Sequence, residues 1–268
     1  MNGLAVGAGM LVALVLVLAV APAVIDADPN AQSLRAALAA PGPDHWLGTD
    51  QYGRSILARL IEGGRHSLAL AAGIVGLCMA TGMILAGIAA TLGGTWDTSL
   101  TALADGIYAV PGLLLVLVVA GLFGGGVTVL VAALWGASWP EYYRVSRGVL
   151  RQVAASDHVL ASRLAGAPMP AVLWYQMLPE AVPYVAGIGS LALGRVILAI
   201  ASLGFLGIGI APPQAEWGAM VSELLPHFER ATVQILAIVA AMAWTVTAAL
   251  LVGQGLTSRF ASGAAADD

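Results

Sequence analysis

The residues able to do chemistry are few, and the basic ones are all arginine. The 268-residue chain has eleven basic and fifteen acidic residues and contains no lysine. Arg144, Arg147, Arg151 and Arg163 crowd into one polar stretch, Glu141 to Pro183. Arg195 lies inside a later apolar run. An arginine within a membrane span is costly, and it faces a partner or a wet cavity. Arg195 is therefore a candidate to line a pathway, where it would repel a bare divalent cation and attract carboxylates. The plain alternative is a salt bridge or a snorkelled position. Of the four histidines, His45, His66 and His227 are metal-ligand candidates by residue type only, because they lack the spacing of a ligand set. Cys78 is the single cysteine and sits in an apolar run, so it forms no internal disulfide. Without a GxxxxGK[ST] loop or any lysine, the chain is not expected to bind ATP by that route. An intramembrane hydrolase would need paired catalytic groups. Asp105, Glu180 and His158 fall near span ends with no nucleophile beside them, and no enzyme is predicted.

Composition accounts for this scarcity. The chain is 59% hydrophobic and 10% charged, and long charge-free segments recur along it. A soluble core of this size has no need of such segments, so they mark a polytopic membrane protein. The net charge of −4 offers no basic face for nucleic acid.

Taken in order, the apolar runs predict six transmembrane helices in an all-α fold. Met1–Ile25 is charge-free and spanning length; without a basic n-region it reads as a retained helix and not a signal peptide. In the polar segment from Asp26 to Arg65, Gly48-Thr49-Asp50 predicts a turn and helix cap. Ile56, Leu57, Leu60 and Ile61 predict a short interfacial helix that ends at Gly63-Gly64. Ser67–Trp96 is the second span, followed by a turn over Gly93–Asp97. Gly106–Pro140 is too long for one span and divides at Gly124-Gly125-Gly126. The third span thus begins near Thr101 with Asp105 close to one end, and the fourth runs from Val127 to the Glu141 region. Tyr184–Gly209 is the fifth span, Ala211–Arg230 a polar segment, and Ala231–Leu256 the sixth. A mobile tail follows from Thr257. No internal repeat or ion-coupling acids in broken helices point to a secondary transporter. Six spans place both termini on the side of Glu141–Pro183. The central arginines and Arg259 assign that side to the cytoplasm, although Arg35, Arg54, Arg59 and Arg65 lie opposite.

Glu141–Pro183 is itself patterned. Val145, Val149 and Val153, then Val159, Leu160 and Leu164, recur at helical spacing. Gly166, Pro168 and Pro170 then form a helix stop. The stretch predicts an ordered helix–turn–helix elbow on one face of the bilayer.

Three blocks resemble the C-type permeases of the peptide/nickel group of binding-protein-dependent ABC importers. His45–Leu68 is similar to their "H-x-LGTDxxGRD" start, with Ser55 in place of the usual acidic residue. Val159–Pro179 is similar to the permease coupling motif, written EAA, three residues, Gly, then I-x-L-P. Here it reads Leu160-Ala161-Ser162, Gly166, Met177-Leu178-Pro179, so the motif glutamate is missing. Ser202–Met220 resembles the "SFLGLG…PP…WG" segment. The blocks are in order and span nearly the whole chain.

The resemblance implies a type I ABC importer permease fold with a cytoplasmic coupling helix, in the cell inner (plasma) membrane with both termini cytoplasmic. It implies residues 1–66 as a first helix plus outer interfacial segment and 67–256 as a five-helix core. Within that core lie a 141–183 coupling segment and a 211–230 outer loop, and 257–268 is a cytoplasmic tail. It implies as partners a second permease subunit in a heterodimer, two ATPase subunits that carry ATP-Mg, an extracytoplasmic substrate-binding protein and membrane lipid. Asp157, Leu160, Ala161, Ser162, Arg163 and Gly166 would couple to the ATPase, with Asp157 favouring the helix start electrostatically and Gly166 giving a sharp turn where a side chain would clash. Glu216, Trp217 and Glu223 would help dock the binding protein, with an interfacial anchor as the plain role for Trp217. Nickel, as a chelate, is the expected cargo from LASRLAGA and the apolar Ile200, where many peptide permeases carry glutamate. A dipeptide or oligopeptide is the alternative.

Overall fold

The computed structural model describes residues 3–25 and 27–264, with side chains through Ser258. Met1, Asn2, Asp26, the Arg259 side chain and residues 265–268 lie outside the described part, and with them Arg259 as a marker of sidedness.

Long helices dominate. α1 (Gly3–Val24) is charge-free. α2 (Ile56–Leu92) follows an irregular segment holding one 3-10 turn, Leu34–Ala36. α3 (Gly94–Tyr108), α4 (Gly112–Phe123) and α5 (Val127–Ala154) come next, then the short α6 (Asp157–Leu164) and α7 (Met169–Val172). A π turn, Leu173–Met177, leads into α8 (Leu178–Phe205). α9 (Trp217–Leu224) and a 3-10 turn precede α10 (Phe228–Ala264).

By length and composition four of these columns can cross a membrane: α1, α2, residues 169–205 and residues 217–258. The bent pair of α3 and α4 makes a fifth. α5 takes the place of the expected fourth span. It is 28 residues long, about 42 Å at 1.5 Å per residue, but its second half carries Glu141, Arg144, Arg147 and Arg151. It packs against α2, α3, α4 and α8, so protein shields much of it from the bilayer. α10 packs along α8 and α1. Val15, Leu16, Leu122 and Leu236 stay exposed, as suits a chain dissolved in lipid.

Several sequence boundaries are corrected. No interfacial helix stops at Gly63-Gly64; α2 runs through both glycines for 37 residues. They are a packing surface, because a Cβ on Gly64 would come within 2.8 Å of the Trp217 ring. The cap of α2 is Ser55, whose hydroxyl accepts from Ala58 N at 3.5 Å, and not Gly48-Thr49-Asp50. Ser and Asp are comparable caps, which explains how serine can stand where the resembling group has an acid. α3 starts at Gly94, inside the expected turn. The third span is broken: α3 and α4 meet at 84°, where Pro111 cannot continue the preceding helix. The first part of the 141–183 stretch belongs to α5, and α8 begins before Tyr184. α10 passes Thr257 as helix to Ala264, where the sequence predicts a tail, and its kink lies at Ala231.

Candidate functional site

The chemistry-bearing residues gather in three places. At one end of the bundle, the 27–55 and 206–227 segments form a cap. Asp50 Oδ1 accepts from the backbone N–H of Tyr52 and Arg54, both at 2.9 Å. Arg54 donates through Nε to Asp50 Oδ2 at 2.5 Å and through Nη2 to Glu223 Oε2 at 2.7 Å. Arg59 donates to the Pro213 carbonyl at 3.2 Å and to Glu223 at 3.4 Å. The side chains of Asp50, Arg54 and Arg59 are at most 3% exposed. Two cations and two anions thus compensate one another, as buried charge requires.

Glu216 caps α9. Its carboxylate accepts from Gly218 N at 2.9 Å, Ala219 N at 2.8 Å and the Ser67 hydroxyl at 3.4 Å. Burial pushes its pKa above the usual carboxylate range, against the pull of those three donors. Trp217 is 1% exposed and donates its indole N–H to Leu60 O at 2.9 Å. This revises the docking assignment: Glu216, Trp217 and Glu223 spend their polar groups inside the chain, and the first two are buried. His66 lies 3.4 Å from Glu62 and 3.1 Å from the Ala215 carbonyl. Among the described residues no three His, Cys, Asp or Glu side chains gather as a metal would require.

The second place is one face of α5. Glu141, Arg144, Arg147 and Arg151 recur every three or four residues, the spacing that aligns side chains along a helix. Arg144 donates to Asp105 on α3 at 2.6 Å and stacks over Tyr108 at 4.3 Å. Arg147 holds both oxygens of Asp97, and Arg151 reaches Asp97 Oδ2 at 2.5 Å. Arg195 Nη2 donates to Glu141 Oε1 at 2.7 Å, so the salt-bridge alternative is realised while the Arg195 side chain stays 57% exposed. Sequence reasoning missed Asp97 and Glu141 as partners. The periodicity of the α5 charges was the available signal.

The third place is the elbow after α5, at the opposite end from the cap. Val159 is fully buried in the core. Ser162 accepts from Gln176 Nε2 at 2.8 Å, and His158 Nε2 lies 3.1 Å from Glu180 Oε1. α6 is thereby tied to the π turn and to the first turn of α8. Ser156 Oγ lies 3.2 Å from His158 Nδ1, which gives a serine–histidine–glutamate chain. The serine already donates to the Val153 carbonyl at 2.6 Å, so the set ends one helix and starts the next. Asp157 lies in the first turn of α6 and Arg163 in the last, both exposed. Leu160 is 42% and Leu164 90% exposed, and Ala161, Trp174 and Tyr175 are open beside them. Gly166 has φ +87°, which favours glycine, but a Cβ there would meet no atom of the described residues beyond its chain neighbours within 4 Å. The clash expected there is not with this chain.

Residues 80–263 match the family described as "Binding-protein-dependent transport system inner membrane component". The chain is 33% identical over 196 residues to the nickel transport system permease protein NikC of Escherichia coli K12, covering 73% of this chain and 71% of that one. It is 38% identical over 197 residues to a putative peptide permease protein of Brucella suis, covering 72% and 64%. It is also 31% identical over 213 residues to the probable D,D-dipeptide transport system permease protein DdpC of Escherichia coli K12, covering 80% and 72%.

Proposed function

Since the chain belongs to the binding-protein-dependent transport system inner membrane components, in the peptide/nickel group of ABC importer permeases, we propose that it lines a translocation path together with a second permease subunit. Two cytoplasmic ATPase subunits, which carry the ATP-Mg, drive that path through α6, and an extracytoplasmic binding protein delivers cargo at the cap. Both termini are cytoplasmic in this reading. Leu4 lies against Gly255 and Thr257 against Gly187, so the described ends of α1 and α10 lie together toward the half of α8 that meets α6, which supports this reading.

The observation that carries the reading is the double character of α6. It turns Leu160, Ala161, Arg163 and Leu164 outward, while Val159, Ser162 and His158 fasten it to the core, the π turn and α8. A push on the exposed side therefore reaches α8, the helix that carries Arg195. Coupling of this kind requires different contacts in two states, which nucleotide-driven closure of an ATPase pair supplies. Asp157 favours the α6 N-terminus, and Gly166 leaves the turn bare for a partner surface. Leu164→Glu tests this. It exposes no core, so insertion should be normal. Co-purification with the cognate ATPase subunits should fall about tenfold, the loss of one well-buried apolar contact. Undiminished association would overturn the assignment.

Nickel, carried as a carboxylate chelate, is the first cargo reading. One similar permease is named for nickel, and buried Ile200 stands where many peptide permeases of the resembling group carry a glutamate. Peptide is the second, favoured by the 38% identity to a putative peptide permease. The ligand retained by the cognate binding protein separates them: tight peptide binding without metal dependence excludes nickel.

A further inference from the structure

A cavity of about 310 Å³ opens between α2, α4, α5 and α8. Glu141, Tyr142, Arg195, Cys78 and Ser138 are among its lining residues. Arg195 stands ten residues from the end of α8 at Phe205, about 15 Å along the axis, well inside the hydrocarbon depth. Its charge is compensated by Glu141, yet its side chain is 57% exposed. Lipid is a poor neighbour for such a pair, so this face belongs to a wet path.

The pair is only partly spent. Among the described residues Arg195 donates through Nη2 to Glu141, and Nε and Nη1 remain to take a further acceptor. Glu141 uses Oε1 alone, which leaves Oε2. Tyr142, 1% exposed, keeps a hydroxyl with no hydrogen-bond partner among the described residues. A buried hydroxyl without a partner costs free energy, so a ligand that supplies one is favoured. An ion pair with an open donor side and an open acceptor side suits a solute that carries both signs. The cap of this same chain shows the finished form, with Asp50, Arg54, Arg59 and Glu223 packed as two cations and two anions.

We infer that Glu141, Arg195 and Tyr142 form an intramembrane contact site for a dipolar cargo, its carboxylate against Arg195 and its positive centre against Glu141. The positive centre is an ammonium in a peptide or the metal ion in a carboxylate chelate. The site rests on the permease reading above and adds a cargo class to it. It holds a bare cation poorly, because Arg195 stands beside Glu141, and a simple anion poorly, because Glu141 stands beside Arg195.

The test uses the assembled importer in proteoliposomes with its binding protein. The probes are labelled dialanine and radioactive nickel supplied as its histidine complex. Arg195→Gln and Glu141→Gln should lower uptake of the transported probe roughly tenfold to a hundredfold, the range for a lost charge-assisted contact. Tyr142→Phe should lower it several-fold, although removing an unpaired hydroxyl stabilises the fold. Which probe is affected identifies the source, peptide or chelate. The exchanged pair, Glu141→Arg with Arg195→Glu, retains a salt bridge and reverses the dipole. It should co-purify with the ATPase subunits and still fail to carry either probe. Wild-type uptake by Arg195→Gln, or full recovery in the exchanged pair, would overturn the inference. So would a wild-type importer whose ATPase answers the loaded binding protein but which moves neither probe. A wild-type importer whose ATPase does not answer at all refutes the permease reading instead.

Discussion

Trp217 and Gly64 are in contact across more than half the chain: the indole lies where a Cβ on Gly64 would come within 2.8 Å, and its N–H reaches the carbonyl of Leu60. The cap is thereby fixed to the first turns of α2. Gly64→Val inserts a branched side chain into a filled space. Overpacking of this kind costs about 1–3 kcal/mol. The detergent-purified chain should lose several degrees of Tm, and Trp217 fluorescence should shift to the red as the ring is displaced. An unshifted spectrum would contradict the packing described.

Glu216 gives the cap a pH dependence. Its pKa is raised by burial, so the folded state takes up a proton more readily than the unfolded chain. The contribution is fully present below the unfolded carboxylate value and is lost as pH rises through the folded one. Glu216→Gln removes the titration. The Tm difference, wild type minus variant, should therefore grow as pH is lowered through the carboxylate range. A difference independent of pH would show that the carboxylate does not titrate in the folded cap.

Much of this was readable in the sequence and some was not. The long apolar runs located the helices, and Gly166, Pro168 and Pro170 located the end of the elbow helix. Gly63-Gly64 misled because glycine pairs are local stop signals, whereas here the reason for glycine is a tryptophan more than 150 positions later. Glu216 and Trp217 were read as outward-facing because they stand in a polar segment, yet a segment that folds back over α2 buries its own polar residues once caps satisfy them. The break between α3 and α4 was signalled by Pro111, but an apolar run hides a bend from periodicity. The pairing of Arg195 with Glu141 required knowing which helices are neighbours, and spacing within one helix does not supply that.

Asp97 serves two arginines of α5. Asp97→Asn keeps the volume and removes the charge, leaving Arg147 and Arg151 without a counter-ion. The Arg151 side chain is mostly exposed and adds little, so the loss comes mainly from the half-buried Arg147. The variant should melt a few degrees lower and gain stability with added salt, as screening relieves the facing arginines. Wild-type melting in low salt would show that α3 is held against α5 without the Asp97 ion pairs, by Arg144–Asp105 and the apolar contacts.

Gly166 can matter for two reasons that a single variant confounds. Its φ of +87° penalises side chains that avoid the left-handed region, and its bare surface points away from this chain. Asparagine tolerates that conformation far better than valine does. If the backbone alone requires glycine, Gly166→Asn should bind the ATPase subunits nearly as the wild type does, while Gly166→Val should not. If the partner fills the space, both should fail, and the asparagine variant should fail with its melting temperature almost unchanged. The second pattern is expected, because a Cβ at the position would meet no described residue beyond its chain neighbours within 4 Å, and a seated helix needs its turn covered. Normal association and uptake by the asparagine variant would move the requirement for glycine from the interface to the backbone.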